Sequence, residues 1–282
     1  MAVVTFWSNN QEETGKTLSI AAVATHLAIE HNYKILLVST SFCDDTLESC
    51  FWDLNNTAQA KIGLFTKKKP ITTALSSGIE GLAKAMVTNR VTPETLKDYT
   101  KTVFKNRLDV LFGFLEKNRE EYERVKPLYP DVIKNANQYY DIVLVDLNKG
   151  LEDPDARKIL EMSDVIVDSI TQKMKTINQL IALLEKEPLL RRGNLILAIG
   201  RYDRFSKYSA KNVARYVKRK EGFCTIPYNT LFFEACGEGK IVDFFLKLRK
   251  IDENDRNKLF MDEIKRLSDE IIYKIQEAQM KM

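Results

Sequence analysis

The chain has 282 residues, 29% of them charged and 44% hydrophobic, with a formal net charge of +4. Eleven Gly and seven Pro exclude a collagen-like or low-complexity chain, and the length suffices for a large core in one big α/β domain or two small ones. A net charge of +4 is too mild, by itself, to imply a nucleic-acid protein.

Met1–Trp7 is too short and lacks the basic start of a signal peptide. Ala2–Trp7 instead reads as a strand, Thr17–Glu30 as a helix and Lys34–Thr40 as a second strand. The segment Asn55–Asn106 departs from this alternation. It carries Lys67-Lys68-Lys69-Pro70 and two helix-like pieces, Thr73–Val87 and Pro93–Val103, and reads as a helical insertion at about 55–106 packed on one edge of a sheet. Further strands are expected at Leu108–Phe112, Asp141–Leu147, Asp164–Ser169, Asn194–Ile199 and Phe223–Ile226. Between them lie helical patterns at Glu116–Val125, Asp131–Gln138, Asp155–Met162, Thr176–Lys186, Ala210–Lys220, Leu231–Cys236 and Asn254–Gln279, with Pro127 and Pro130 holding the first two apart. The strands are continuous hydrophobic runs, the mark of strands buried on both faces. The expected fold class is therefore α/β, a doubly wound, mostly parallel sheet flanked by helices, in a single domain spanning 1–282. Cys43, Cys50, Cys224 and Cys236 form no CxxC pair, and His26 and His31 are the only histidines, so no zinc site is expected. No run approaches the ~18 apolar residues of a membrane span. Reduced thiols in a cytoplasmic protein follow as the expectation.

Chemistry concentrates after the first strand, in Asn10-Gln11-Glu12-Glu13-Thr14-Gly15-Lys16-Thr17. A strand before and an amphipathic helix after it supply the context of a G-x-x-x-x-G-K-[ST] phosphate loop. Such a loop turns backbone N–H groups toward phosphate oxygens at the positive end of a helix dipole. Lys16 would reach the β- and γ-phosphates, and the Thr17 hydroxyl would ligate Mg²⁺. Asn10 replaces the first Gly, and Glu12 and Glu13 occupy the middle of the loop. A carboxylate ~4 Å from a phosphate costs about 1 kcal/mol even in water, and more when desolvated. The second signal is Tyr140-Asp141-Ile142-Val143-Leu144-Val145-Asp146-Leu147-Asn148-Lys149-Gly150. Asp146 ends a buried strand where a catalytic, Mg²⁺-side acid belongs, and Gly150 would let the backbone swing toward a γ-phosphate. The plainer alternative is a strand–turn–helix with an incidental Gly15-Lys16-Thr17 and an Asp that only caps its strand.

On these residues the chain resembles the MinD/ParA superfamily of P-loop ATPases. The resemblance runs through Thr5–Thr17, Ile35-Leu36-Leu37-Val38, Asp146-x-x-x-Gly150, Ser163-Asp164-Val165-Ile166-Val167, and a late stretch from Ile226-Pro227 through Ala235 and Gly239 to Val242 that lies near the bound base in relatives. It implies ATP and Mg²⁺ as ligands, a P-loop NTPase-like fold and a homodimer. The nucleotide would be held by Asn10, Gln11, Glu12, Glu13, Thr14, Gly15, Lys16, Thr17 and Gly150, and the metal by Thr17 and Asp146. Several departures stand out. Gln11 replaces the early Lys that crosses to the partner subunit's phosphates, and Glu12 and Glu13 replace two usual glycines. The second strand ends Val38-Ser39-Thr40-Ser41 without the family's acids, although Asp44 and Asp45 follow within a turn. Gly200-Arg201-Tyr202-Asp203 stands where the family often reads its base with Asn. Because hydrolysis depends on positioning and charge neutralisation, slow turnover or none is expected. Such decay resembles the TadZ/CpaE-like branch, localisation factors for Flp-type pilus assembly.

Two surfaces bear on partners. Arg201 to Lys220 holds eight Lys/Arg and one acid, with Lys211, Arg215 and Lys218 on one helix face, a stripe fit for DNA phosphates or for plain solvation. The last helix places Phe260, Ile264, Leu267, Ile271 and Ile275 on one stripe, but Asp262, Glu263, Asp269 and Glu270 make its polar face poor for anionic lipid. A membrane role is not expected. Two function classes remain open: a scaffold that recruits partners of an assembly or positioning system, and an ATP-hydrolysing partition or positioning ATPase that binds DNA or membrane.

Overall fold

A computed structural model describes residues 1–9, 14–54, 78–87, 92–219 and 223–280. The β-branched runs become the strands β1 (Ala2–Trp7), β2 (Ile35–Ser39), β3 (Lys101–Phe104), β4 (Leu108–Leu111), β5 (Ile142–Asp146), β6 (Val165–Ile170), β7 (Leu195–Tyr202) and β8 (Phe223–Pro227). Every residue of β1, β2, β4, β5 and β6 is buried, as continuous hydrophobicity demands of strands covered on both faces. The described strands form one sheet in the order β3-β4-β2-β5-β1-β6-β7-β8, parallel throughout except for β3.

The helices are α1 (Lys16–Glu30), α2 (Thr46–Phe51), α3 (Ile79–Val87), α4 (Arg119–Val125), α5 (Tyr129–Ala136), α6 (Pro154–Glu161), α7 (Met174–Lys186), α8 (Ala210–Val217), α9 (Thr230–Gly237), α10 (Ile241–Lys247) and α11 (Lys258–Met280). They cover the sheet in two layers. One core joins α1, α2, α9, α10 and α11 to one face, through Leu27, Phe51, Phe232, Phe245 and Ile264 among others. The other joins α3 to α8 to the opposite face, through Leu82, Tyr122, Ile133, Ile159, Leu180 and Val213. Each such apolar side chain removed from water contributes about 1.5–3 kcal/mol. Phe260, Ile264, Leu267, Ile271 and Ile275 of α11 are all buried, so that stripe packs on α1 and β8. Among the described residues no helix is long and apolar enough to cross a membrane, and the four cysteines are free thiols.

Several expectations are corrected. Pro93–Val103 is not a helix. It makes a 3₁₀ turn, Thr95–Tyr99, and then β3, a half-exposed edge strand antiparallel to β4. The β-branched Thr102 and Val103 suit an edge, and Asn106 turns the chain back with φ +61°. Of the expected helix Thr73–Val87, the part Ile79–Val87 is α3, while residues 55–77 and 88–91, Lys67-Lys68-Lys69-Pro70 included, lie outside the described residues. Pro127 and Pro130 do not separate the helices on either side of them. α4 passes through a 3₁₀ turn, Lys126–Leu128, straight into α5, each proline sitting in a first turn where its missing N–H costs nothing. α8 ends at Val217, and Lys218 leaves the helix with φ +56°, so it does not share a helical face with Lys211 and Arg215. The short helices α2 and α10 were absent from the sequence pattern because one or two turns carry too little periodicity to register.

The order β2-β5-β1-β6 sets the location of the site. The chain leaves β1 toward one side of the sheet for β2 and reaches β6 on the other side. A crevice opens at such a switch point, beyond the carboxyl ends of the strands. The segments after β1 and after β5 meet there, with Phe6 and Asp146 adjacent in register.

Candidate functional site

Gly15 precedes α1 with φ +76°, a left-handed conformation that glycine adopts without a Cβ penalty. Lys16 and Thr17 open the helix. The Lys16 side chain is almost wholly covered, 9% exposed at the residue, and its Nζ turns toward the end of β5. It donates to Asp146 Oδ1, to the Leu147 carbonyl (2.9 Å) and to Asn148 Oδ1 (2.6 Å). Asp146 is 1% exposed, and its other oxygen accepts from Thr17 Oγ1 at 2.9 Å. Amine, hydroxyl and carboxylate thus converge, and a buried cation and anion compensate one another where either alone would carry a heavy desolvation cost.

The segment after Asp146 is held from four sides. Leu147 N donates to the Phe6 carbonyl (3.0 Å), Asn148 N to Thr40 Oγ1 (3.0 Å), and the Trp7 indole N–H to the Lys149 carbonyl (2.9 Å). Lys126 reaches Asp153 at 2.6 Å, where Asp153 caps α6 by accepting from Asp155 N and Ala156 N. Gly150 lies within this segment but shows no positive φ, and a Cβ there would meet only the movable Glu152 carboxylate. At Gly200 the need is strict, since a Cβ would stand 1.9 Å from the Thr14 carbonyl oxygen. The bare backbone of Gly200 thus lets Thr14 approach the end of β7.

The acids near β2 take other work. Ser39 Oγ and Ser41 Oγ share a hydrogen bond at 2.9 Å, and Thr40 binds the Asp146 carbonyl through both N (3.1 Å) and Oγ1 (3.2 Å). Asp44 Oδ1 accepts from Thr46 N at 2.9 Å and Thr46 Oγ1 at 2.5 Å, and Asp44 and Asp45 are both exposed at the start of α2. Among the described residues, then, no carboxylate of that segment reaches the Lys16–Asp146 cluster. Beside Gly15 a cavity of about 40 Å³, room for a water or so, is lined by Arg201, Ile226, Pro227, Tyr228, Asn229, Phe232 and Phe233. Arg201 adopts φ +49° at the irregularity between β7 and β8. Asp203 does not line that cavity. It is exposed, and its Oδ1 accepts from Phe205 N at 2.9 Å. Ala235, Gly239 and Val242 lie farther along, Gly239 pressed against the Trp52–Asp53 backbone.

The structure therefore brings together Thr14, Gly15, Lys16, Thr17 and Asp146 of the residues singled out in the sequence. Asn10, Gln11, Glu12 and Glu13 lie outside the described residues. Sequence reasoning missed Asn148, Thr40, Trp7 and Gly200, whose roles depend on strand order. It also missed Asp168, for which there was a signal, an acid inside the apolar run Val165–Ile170.

No protein-family model matches the chain, and no curated protein matches its sequence. In structure the chain is similar to a ParA family ATPase from Chlorobium tepidum (TM-score 0.67, 18% identity, 95% of this chain and 98% of that one). It is similar to the cell division ATPase MinD from Pyrococcus furiosus (TM-score 0.65, 15% identity, 97% and 99%). It is also similar to a plasmid partition protein from Borrelia burgdorferi bound to AMPPNP (TM-score 0.57, 19% identity, 99% and 98%). The fold is that of the MinD/ParA P-loop ATPases, as the motifs imply.

Proposed function

We propose that this protein is a nucleotide-binding localisation or assembly scaffold of the MinD/ParA type, which binds ATP with Mg²⁺ at its degenerate phosphate loop and turns it over slowly or not at all. The convergence of Lys16, Thr17 and Asp146 at the switch point carries this reading. Thr17 Oγ1 and Asp146 Oδ2 are hard oxygen donors 2.9 Å apart, a pair suited to Mg²⁺, which fills its remaining positions with phosphate oxygens and water. Among the described residues no cluster of His, Cys, Asp and Glu forms an all-protein metal cage, consistent with a metal held jointly with a nucleotide. Bound there, Mg²⁺ would neutralise phosphate charge. Lys16 would exchange its bonds to Leu147 and Asn148 for phosphate oxygens, loosening the segment 147–153 and so making it report occupancy to partners.

Slow turnover is supported at β2, where serine and threonine stand in place of acids and Asp44 is committed to Thr46. A homodimer, protein partners, a cytoplasmic setting and a Flp-type pilus system belong to the same proposal. Binding of an ATP analogue with Mg²⁺ should weaken at least tenfold in Lys16→Ala, and steady phosphate release should be slow or absent. Wild-type protein that binds no nucleotide refutes the nucleotide assignment. A clear, fast, Lys16-dependent hydrolysis rate refutes the scaffold and favours a partition or positioning ATPase.

The exposed bases Arg201, Arg204, Lys207, Lys211 and Arg215 favour DNA as the partner of that second reading. Arg219 does not join them. It turns inward to the Leu195 carbonyl (3.2 Å), and burial lowers its pKa.

A further inference from the structure

The end of α1, the segment 245–251 and the first turns of α11 wall a cavity of about 420 Å³, a volume within the range of small-molecule sites. It lies toward the other end of α1 from Lys16: His26 comes ten residues later, about 15 Å along the helix. Ile29, Phe245, Leu248, Ile251 and Met261 give the cavity an apolar wall, and Arg249, Lys258 and Lys265 bring cations to it. His26 lines it too. That residue is 7% exposed, and its Nδ1 has no hydrogen-bond partner among the described residues. A buried polar nitrogen without a partner is costly in a finished core. At the wall of a cavity it is a group for a ligand.

Charge decides the class of ligand. Arg249 holds Glu30 at 2.9 Å and Lys258 holds Asp262 at 2.8 Å, so each pair is neutral as a unit. Lys265 and Asp269, one turn apart on α11, form no ion pair among the described residues and offset each other in charge. The imidazoles of His26 and His31 remain as the surplus, and an imidazole meets an anion by taking up a proton. We propose that this cavity binds an amphipathic monoanion, with its carboxylate held by His26 and Lys265 and its apolar body laid along Ile29, Phe245 and Met261. The proposal does not depend on the nucleotide assignment.

The binding is linked to protons. The charged and titratable groups around the cavity are Glu30 and His31 at the end of α1, Arg249 after α10, and Lys258, Asp262, Lys265 and Asp269 on α11, while α10 itself presents the uncharged Phe245. Burial, the leading cause, holds the His26 pKa below its ordinary value, with Glu30 and Asp269 opposing and His31 and Lys265 adding to it. A carboxylate brought against the ring favours the charged imidazolium. Binding therefore takes up a proton, and affinity rises as the pH falls through the His26 range.

Decanoate, added without nucleotide, tests the site. The chain has two histidines, so ¹³C-histidine labelling gives two imidazole signals, which His31→Gln assigns. Decanoate should shift the His26 signal with one-to-one saturation, move its titration to higher pH, and bind more tightly at pH 5.5 than at pH 8. Lys265→Glu, at an exposed position, should weaken binding about tenfold as an attractive contact turns repulsive. Octanoate and hexanoate should bind more weakly in turn, about fourfold for each CH₂ removed. A parallel titration with 1-naphthylacetate shows whether an aromatic or an aliphatic body fits better, and saturable binding of either acid with the His26 shift supports the site. An unmoved His26 signal, equal affinity for decylamine or 1-decanol, or undiminished binding in Lys265→Glu overturns the proposal. Decanoate binding by a protein that takes no nucleotide refutes the nucleotide assignment alone.

Discussion

At the scale of single residues, the Lys16–Asp146 pair governs the site, because each buried charge is compensated by the other. Removing one partner leaves an unpaired charge at a cost of about 3–5 kcal/mol, whereas replacing both is far milder. Lys16→Met and Asp146→Asn should each lower the urea midpoint strongly, and the double variant should recover much of the loss, giving a coupling energy of order 1–3 kcal/mol in a double-mutant cycle. Independent losses that simply add would contradict the pairing. Gly200 offers a second test. A methyl group there meets the Thr14 carbonyl at 1.9 Å, while one at Gly193 meets nothing within 4 Å. Gly200→Ala should cost about 1–3 kcal/mol and weaken nucleotide binding with it. Gly193→Ala should leave thermal stability and binding nearly unchanged.

At the scale of elements, α1, α10 and α11 enclose His26, whose ring packs edge-on to Phe245 at 6.4 Å between centroids. Burial, the leading cause, holds the His26 pKa below its ordinary value. The folded state thus binds fewer protons than the unfolded chain just below pH 6.5, so stability is retained above that pH and lost as the pH falls. In an Asp168→Asn background, which removes the opposing slope, the urea midpoint should be lower at pH 5 than at pH 7, and His26→Gln should shrink that difference. Asp168 acts with the opposite sign. Raised to about 7, it favours the folded state at acid pH and erodes stability as the pH rises from about 4 toward 7, a slope that Asp168→Asn should remove. In α11 the buried Ile271 serves packing, so Ile271→Ala should destabilise by about 2–5 kcal/mol. Flotation of wild-type protein with anionic liposomes that depends on Ile271 would show instead that the helix leaves the sheet.

At the scale of the whole molecule, the parallel sheet gathers the segments after β1, β5, β7 and β8 beyond the carboxyl ends of its strands, and the nucleotide function is legible only there. On the second reading, the exposed bases between Arg201 and Arg215 predict DNA retention that falls steeply as salt rises, since each phosphate contact releases a counterion. Absence of retention at low salt would leave proteins as the partners.

The sequence by itself determined the layers. Continuous β-branched runs such as Ile142–Val145 announced doubly covered strands, and Gly15-Lys16-Thr17 after a strand announced the loop, because periodicity and turn chemistry are local properties. The edge strand β3 and the short α2 and α10 escaped it, since their identity comes from the neighbours they pack on rather than from their own pattern. Only the tertiary structure decided that Lys16 turns onto Asp146, Leu147 and Asn148, that Gly200 makes room for Thr14, and that Asp168 lies buried beside Trp7. Those contacts join residues far apart in the chain, or depend on strands becoming neighbours across the crevice, and no reading of adjacent residues contains the order in which strands assemble.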